Sequence, residues 1–340
     1  MPNVTIEDVA RQAQVSRATV SRVLNNNSRV DETLRLRVLD AIQELDYQPN
    51  HIARRLRAQS STVIGLIISD IQNPYFISVI RGVEDSAYAN RMSIVLCNSD
   101  EDERKQQLYL QVIESEHVAG LIVVPANSRD SAAFARLTQA GIPIILLDRM
   151  VDNLRADTVT VDNVRGAYEA VSHLIALGHK RIGIITGQRH LTTAAERYDG
   201  YREALTAAGL PLDEALVKFG DFKTDSGYRL ARELMSAPDR PEALFVANNL
   251  MTLGALRALR ELGIRIPQEM PLVGFDDMPW SGELYSPLTA VSQPTYELGQ
   301  EAVQLLMRRI AQPNAPYRTV ILQTRLIIRE SSGVALQRGR

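Results

Sequence analysis

Residues 5–24 read Thr-Ile-Glu-Asp-Val-Ala-Arg-Gln-Ala-Gln-Val-Ser-Arg-Ala-Thr-Val-Ser-Arg-Val-Leu, and two short helices can be placed on them. Thr5 with Asp8 three residues later is a capping-box-like start, opening a helix that runs to about Ala13. Gln14 and Val15 make a tight turn, and Ser16 caps a second helix through about Leu24. Val9, Ala10, Val15, Val20 and Val23 can bury between the two, which leaves Ser16, Arg17, Ala18, Thr19, Ser21 and Arg22 on or near the outer face. A helix-turn-helix needs this layout: one helix braces on the DNA backbone and the next offers its N-terminal side chains to base edges. Arg17 and Arg22 have forked donors suited to guanine, Ala18 suits a thymine methyl, and the three hydroxyls suit phosphates. An ordinary small amphipathic bundle with a solvated polar face has the same periodicity. The tight spacing, and the Pro and Asn that follow the third helix, favour the DNA reader.

Working outward, the polar loop 25–28 leads to a third helix from about Glu32 to Leu45, with Leu34, Val38, Ala41, Ile42 and Leu45 along one face. Tyr47-Gln-Pro-Asn50 breaks the chain, residues 51–58 could form a short additional helix, and 59–62 read as a polar linker. From Val63 the pattern changes. Apolar runs at 63–69, 93–98, 120–125, 143–148, 181–186, 243–247 and 271–276 alternate with amphipathic stretches. Continuous apolar strands separated by helices indicate parallel sheets covered on both faces. They fit two doubly wound halves of similar size, with the break near 158–163 and a last strand at about 318–329.

The bulk numbers agree. A chain of 340 residues, 45% hydrophobic and 23% charged, is a globular protein of two or three domains. The net charge of −2 hides nine arginines against seven acids in residues 1–60, an asymmetry too small to indicate nucleic-acid binding alone. The single cysteine, Cys97, excludes an intramolecular disulfide framework and fits a reducing compartment. No apolar leader precedes residue 15 and no apolar run nears the ~20 residues of a membrane span, so a cytoplasmic protein is expected.

Doubly wound domains bind ligands at the carboxyl ends of their strands, and two facing lobes make a cleft. Asp70 and Asn73-Pro-Tyr-Phe76 follow the first strand, Asp148 ends the fourth, and Asp276 ends the strand 271–275. Arg197 lies at the start of the helix after Ile185, and Asn248 follows the run 243–247. Carboxylates, an amide and a guanidinium suit a polyhydroxylated ligand, because each hydroxyl both donates and accepts. Tyr75, Phe76, Phe222 and Trp280 could stack on the apolar face of a ring. Taken singly, each aspartate serves equally well as a helix cap or turn residue. No GxSxG elbow, P-loop or HExxH occurs and the five histidines are scattered, so an enzyme is not expected, nor a metal or cofactor.

The stretch from Thr5 to Arg57 resembles the headpiece of the LacI/GalR family of bacterial regulators. The resemblance continues through NPYF (73–76), VAGLIVVP, GHKRIGIITG, RYDGYREAL, FVANN, VGFDD and SPLTAVSQP, in order along nearly the whole chain. It implies an all-α helix-turn-helix headpiece at 1–48 and a hinge helix and linker at 49–61. A two-lobed, periplasmic-binding-protein-like α/β domain would follow, with one lobe of 62–162 and 293–317 and another of 163–292 and 318–333. It further implies a homodimer on double-stranded operator DNA, with Thr5, Ser16, Arg17, Ala18, Thr19, Ser21, Arg22, Asn25, Arg29, Asn50, Ala53 and Arg54 as contacts. Leu56, in the hinge motif, would be a wedge inserted between base steps, which kinks DNA. Its effector contacts map onto Tyr75, Phe76, Asp148, Thr193, Arg197, Phe222, Asn248 and Asp276. Leu191 stands where purine-responsive members carry a basic side chain, and Asn249 replaces the acid usual in the family's Asn-Asp pair. A transcription regulator, most simply a repressor, controlled by a small carbohydrate is therefore expected. The alternatives are a purine effector, or a sugar-binding module with no regulatory role.

Overall fold

The computed structural model describes residues 4–24, 30–45, 47 and 61–334. The chain divides into two compact units, 1–61 and 62–340. In the first unit lie α1 (Ile6–Gln12), α2 (Arg17–Leu24) and α3 (Glu32–Glu44). Each begins for a local reason. Thr5 and Asp8 form a reciprocal capping box, Ser16 Oγ accepts the Thr19 N–H, and Asp31 accepts those of Thr33 and Leu34. Gln14 takes a left-handed φ of 51° in the turn between α1 and α2. Val9, Ala10, Ala13, Val20, Val23, Val38 and Ala41 make the core, with Val15, Ile42 and Leu45 half-buried against them; Leu34, expected on the same face, is half-buried but not part of this cluster. Arg37 of α3 donates to the Ala13 carbonyl at 2.6 Å and so fixes the turn.

The second unit has two lobes, each built on a six-stranded sheet. The first sheet has the order β11-β5-β4-β3-β1-β2, all parallel, from β1 (Val63–Ile68), β2 (Ser93–Asn98), β3 (Gly120–Val123), β4 (Ile144–Leu147), β5 (Asp157–Val161) and β11 (Thr319–Leu322). The second has the order β12-β10-β9-β8-β6-β7, from β6 (Ile182–Thr186), β7 (Val217–Phe219), β8 (Ala243–Val246), β9 (Leu272–Phe275), β10 (Thr289–Ser292) and β12 (Arg325–Ile327).

Three expectations need correction. The last strand, read as one element at 318–329, is two. β11 pairs parallel with β5 in the first lobe, whereas β12 pairs with β10 in the second. Residues 319–322 therefore belong to the first lobe, not the second. The reason is that an extended run continues unbroken in sequence while the chain steps between sheets at residues 323–324. The second sheet is also not purely parallel, because β12 runs antiparallel to β10 as an edge strand. Finally, β5, β7 and β10 fall outside the apolar runs, because polar residues interrupt them: they read Asp-Thr-Val-Thr-Val, Val-Lys-Phe and Thr-Ala-Val-Ser.

The chain passes between lobes three times, at residues 162, 293–294 and 323–324. Within the first lobe, the helices Pro74–Ala89 and Thr295–Ala311 meet backbone to backbone at Gly82 and Gly299. A Cβ on Gly82 would collide with the Tyr296 carbonyl, and one on Gly299 with that of Val79.

Candidate DNA-reading face and effector cleft

On the headpiece, Arg17, Ala18 and Arg22 are exposed along α2, and Thr19 and Ser21 are half-buried. Two of these side chains already have partners. Arg17 Nη1 donates to Glu7 Oε1 of α1 at 2.9 Å, with both side chains about half exposed. Ser16 Oγ lies 2.9 Å from Thr19 Oγ1 besides capping α2, so this hydroxyl pair is engaged with itself. Thr5 is held by Asp8, whose carboxyl its hydroxyl and backbone N–H hold below the usual range. Arg22 has no partner among the described residues, which leaves its guanidinium free for a base edge or phosphate. Asn25, Arg29, Asn50, Ala53, Arg54 and Leu56, and with them the expected hinge helix and wedge, lie outside the described residues.

The cleft is built at the carboxyl ends of the strands of both lobes. Asn73 and Asn248 follow β1 and β8; each caps the next helix by accepting a backbone N–H, from Tyr75 and from Met251. Asp148 follows β4 and Asp276 follows β9, in corresponding places of the two lobes. Both take left-handed backbone, with φ of 67° and 72°. Phe222 does the same at 64°, and its ring lies where a Cβ on Gly187 would be. Non-glycine residues in this region cost energy, and they gather where side chains must be aimed.

Tyr75, Phe76, Asp148, Thr193, Arg197, Phe222, Asn248 and Asp276 all line one buried cavity, joined by Asn73, Glu101, Arg149 and Gln293. The free space among them is about 30 Å³, on the scale of one water molecule. Tyr75 donates its hydroxyl to Asp148 Oδ1 at 2.8 Å, and burial beside that carboxylate drives the phenol far above its ordinary range. Arg197 Nε donates to Asn163 Oδ1 at 2.9 Å and its Nη1 to the Ala247 carbonyl at 2.7 Å, while the guanidinium lies 3.9 Å from the Phe275 ring centre. Asp276 accepts from Gln293 Nε2 and from the Asn249 N–H, so it also caps the helix Asn249–Glu261 from a neighbouring strand. Burial raises its carboxyl, partly offset by Arg197. Three buried polar atoms of these lining residues have no hydrogen-bond partner: Arg149 Nε, Thr193 Oγ1 and Gln293 Oε1.

Trp280 is not in this cavity. It is half-buried against the cores of both lobes, because the loop after β9 turns back between them. Glu101, Arg149 and Gln293 were missed from sequence. Arg149 donates to both carboxylate oxygens of Glu101, at 2.6 and 2.7 Å, and to the Pro125 carbonyl. Their signal was position alone: Arg149 adjoins Asp148, and Glu101 follows β2 by three residues.

Residues 5–50 match the pattern of bacterial regulatory proteins, lacI family, and residues 171–332 match a periplasmic binding protein-like domain. The ribose operon repressor of Haemophilus influenzae is 34% identical over 96% of this chain and 98% of its own length. Catabolite control protein A of Priestia megaterium is 34% identical over 97% and 99%. The chain belongs to the LacI family. Among solved structures, a Lac repressor dimer bound to operator and the anti-inducer ONPF superposes with a TM-score of 0.84 at 30% identity, covering 97% of this chain and 99% of that one. A CelR–cellobiose complex gives 0.74 at 35% identity over 97% and 100%. This LacI-family protein is thus a DNA-binding transcription regulator under the control of a small effector. The named relatives are repressors and regulators rather than enzymes. Among the described residues no helix is long and apolar enough to cross a membrane.

Proposed function

We propose that this regulator is a cytoplasmic, non-enzymatic repressor that binds operator DNA as a homodimer and is released by a sugar held between its lobes. The observation that carries the effector assignment is the cleft in which the Arg197 guanidinium lies within electrostatic reach of Asp276 without an ion pair, and in which Arg149 Nε, Thr193 Oγ1 and Gln293 Oε1 have no hydrogen-bond partner. A hydroxyl set between a guanidinium and a carboxylate is satisfied in both directions. Tyr75, Phe76 and Asp148 from one lobe and Arg197, Phe222, Asn248 and Asp276 from the other would grip the ligand. Its preference for one closure angle would shift the spacing of the two headpieces. The ribose and cellobiose named in relatives' structures support this class. Homodimerisation is supported by the exposed apolar side chains Ile77, Tyr88, Val95, Leu96, Leu108 and Val112 of the first lobe.

On the headpiece we assign base reading to Arg17, Ala18 and Arg22, and backbone contacts to Thr5, Ser16, Thr19 and Ser21.

A purine is the competing effector, since a purine repressor of Haemophilus influenzae is 35% identical over 96% of this chain. Leu191 argues against it, being buried in the second lobe's core and offering no polar group.

A thermal-shift panel of sugars and purines decides between them, because a ligand at a hundred times its Kd adds ~2.7 kcal/mol. Asp276→Ala should abolish the operator response to the sugar that binds while leaving effector-free DNA binding intact. Loss of both together would make Asp276 purely structural, and a shift by purines alone would end the carbohydrate reading.

A further inference from the structure

The mouth of the cleft carries a lysine. Lys223 follows Phe222 in the second lobe, and its Nζ reaches the first lobe, where it donates to Asp70 Oδ2 at 2.6 Å and Asp100 Oδ1 at 2.9 Å. Burial alone would lower this ammonium, but the two carboxylates outweigh that and hold it protonated. Deeper in, Arg149 is committed to Glu101, with Asp148 3.6 Å from its Nε. Arg197 forms no ion pair among the described residues, and Asp276 lies within its electrostatic reach.

We propose that the cleft takes an uncharged polyhydroxy ligand and rejects its phosphate ester, with Asp70 and Asp100 setting the specificity by taking up the ammonium of Lys223. This rests on the cleft being the effector site. A phosphate monoester is close to a dianion at neutral pH and is acceptor-only in that form, so it needs several free cationic donors. Here the lining residues bring three carboxylates (Glu101, Asp148, Asp276) against two guanidiniums, and the mouth adds two more carboxylates against one lysine. A dianion entering this site meets like charge at each step and must break an existing pair to gain a cation. A neutral hydroxyl meets no such penalty, since it can donate to Asp148 or Asp276 and accept from Arg197. Lys223 also ties its neighbour Phe222, which lines the cleft, to the opposite lobe, so the ion pairs that deny phosphate a cation also hold the two lobes together.

The test is titration calorimetry of the full chain with a panel of pentoses, hexoses and disaccharides, each matched with its phosphate ester. The expected result is at least one neutral sugar binding at least tenfold more tightly than its ester. Asp100→Asn alone, at a half-exposed position, and Asp70→Asn with Asp100→Asn together should free Lys223 and narrow that gap, while Lys223→Gln should not. Melting curves identify any variant that fails to fold. An ester that binds the unaltered chain as tightly as its sugar, or variants that leave the gap unchanged, overturns the inference and leaves the effector site standing. If no sugar of either kind binds, the effector reading falls and this inference with it.

Discussion

Asn249 of the second lobe donates its amide Nδ2 to Asn73 Oδ1 of the first lobe at 2.7 Å, joining the two inside the protein. Both side chains are buried, and the accepting oxygen also caps the helix Pro74–Ala89 through the Tyr75 N–H. The same Asn249 offers its own backbone N–H to Asp276. One residue thus links the helix cap of one lobe to the buried carboxylate Asp276 of the other. A carboxylate in its place could not donate and would add charge beside Asp276.

Asn249→Asp should therefore weaken lobe closure. Removing one partner of a buried hydrogen bond costs ~1–3 kcal/mol, and small-angle scattering of the variant should give a larger effector-domain radius than the parent. Effector affinity should fall about tenfold or more. Identical scattering curves and affinities would remove the clasp from the mechanism.

Arg22 and Arg17 differ in what they have to give up. Arg22→Ala should cost ~1–3 kcal/mol of operator binding and relax base choice at one position of each half-site, read by binding to a randomised operator library. A loss uniform over all sequences would mark a phosphate contact instead. Glu7→Gln should release Arg17, with a stability change within ~1 kcal/mol because the pair is exposed. Operator affinity should then rise or hold; a fall would show that Glu7 positions Arg17 for DNA.

Gly82→Ala tests the close helix contact of the first lobe. The new methyl meets the Tyr296 backbone, which cannot rotate away, so the helices must part at a cost of ~1–3 kcal/mol. Differential scanning calorimetry should show a lower midpoint. An unchanged midpoint would mean that the helix pair separates freely.

Acid should weaken the cleft through Glu101. Burial pushes its carboxyl up, but the Arg149 charge and hydrogen bonds outweigh burial and hold it below the ordinary value. A carboxyl depressed in the folded state contributes stability in full above its unfolded pKa, about 4.3, and loses it as pH falls through the folded value. Glu101→Gln should melt lower than the parent at pH 7, and the difference should shrink as pH drops below about 4. A difference independent of pH would remove the ion pair as its cause.

The capping box at Thr5 and Asp8, the turn at Gln14, the three helices of the headpiece and seven of the twelve strands were all legible in the sequence. Each is set by interactions within a few residues: a cap, a left-handed turn, or a run of apolar side chains long enough to show its period. So was the placement of Tyr75, Asp148, Asn248 and Asp276 just after strand ends, where they line one cleft. Other features belong to the tertiary structure alone. Residues 319–322 join the first sheet because β5 presents an open edge there, which no local pattern encodes. Arg149 meets Glu101 across 48 residues, Asn249 meets Asn73 across 176, and Lys223 meets Asp70 across 153. Such pairings have no periodicity, because they depend on where strand ends of one lobe or of both lie in space. The sequence places polar residues at the strand ends, and only the packing of the lobes decides which of their charges are paired and which remain free.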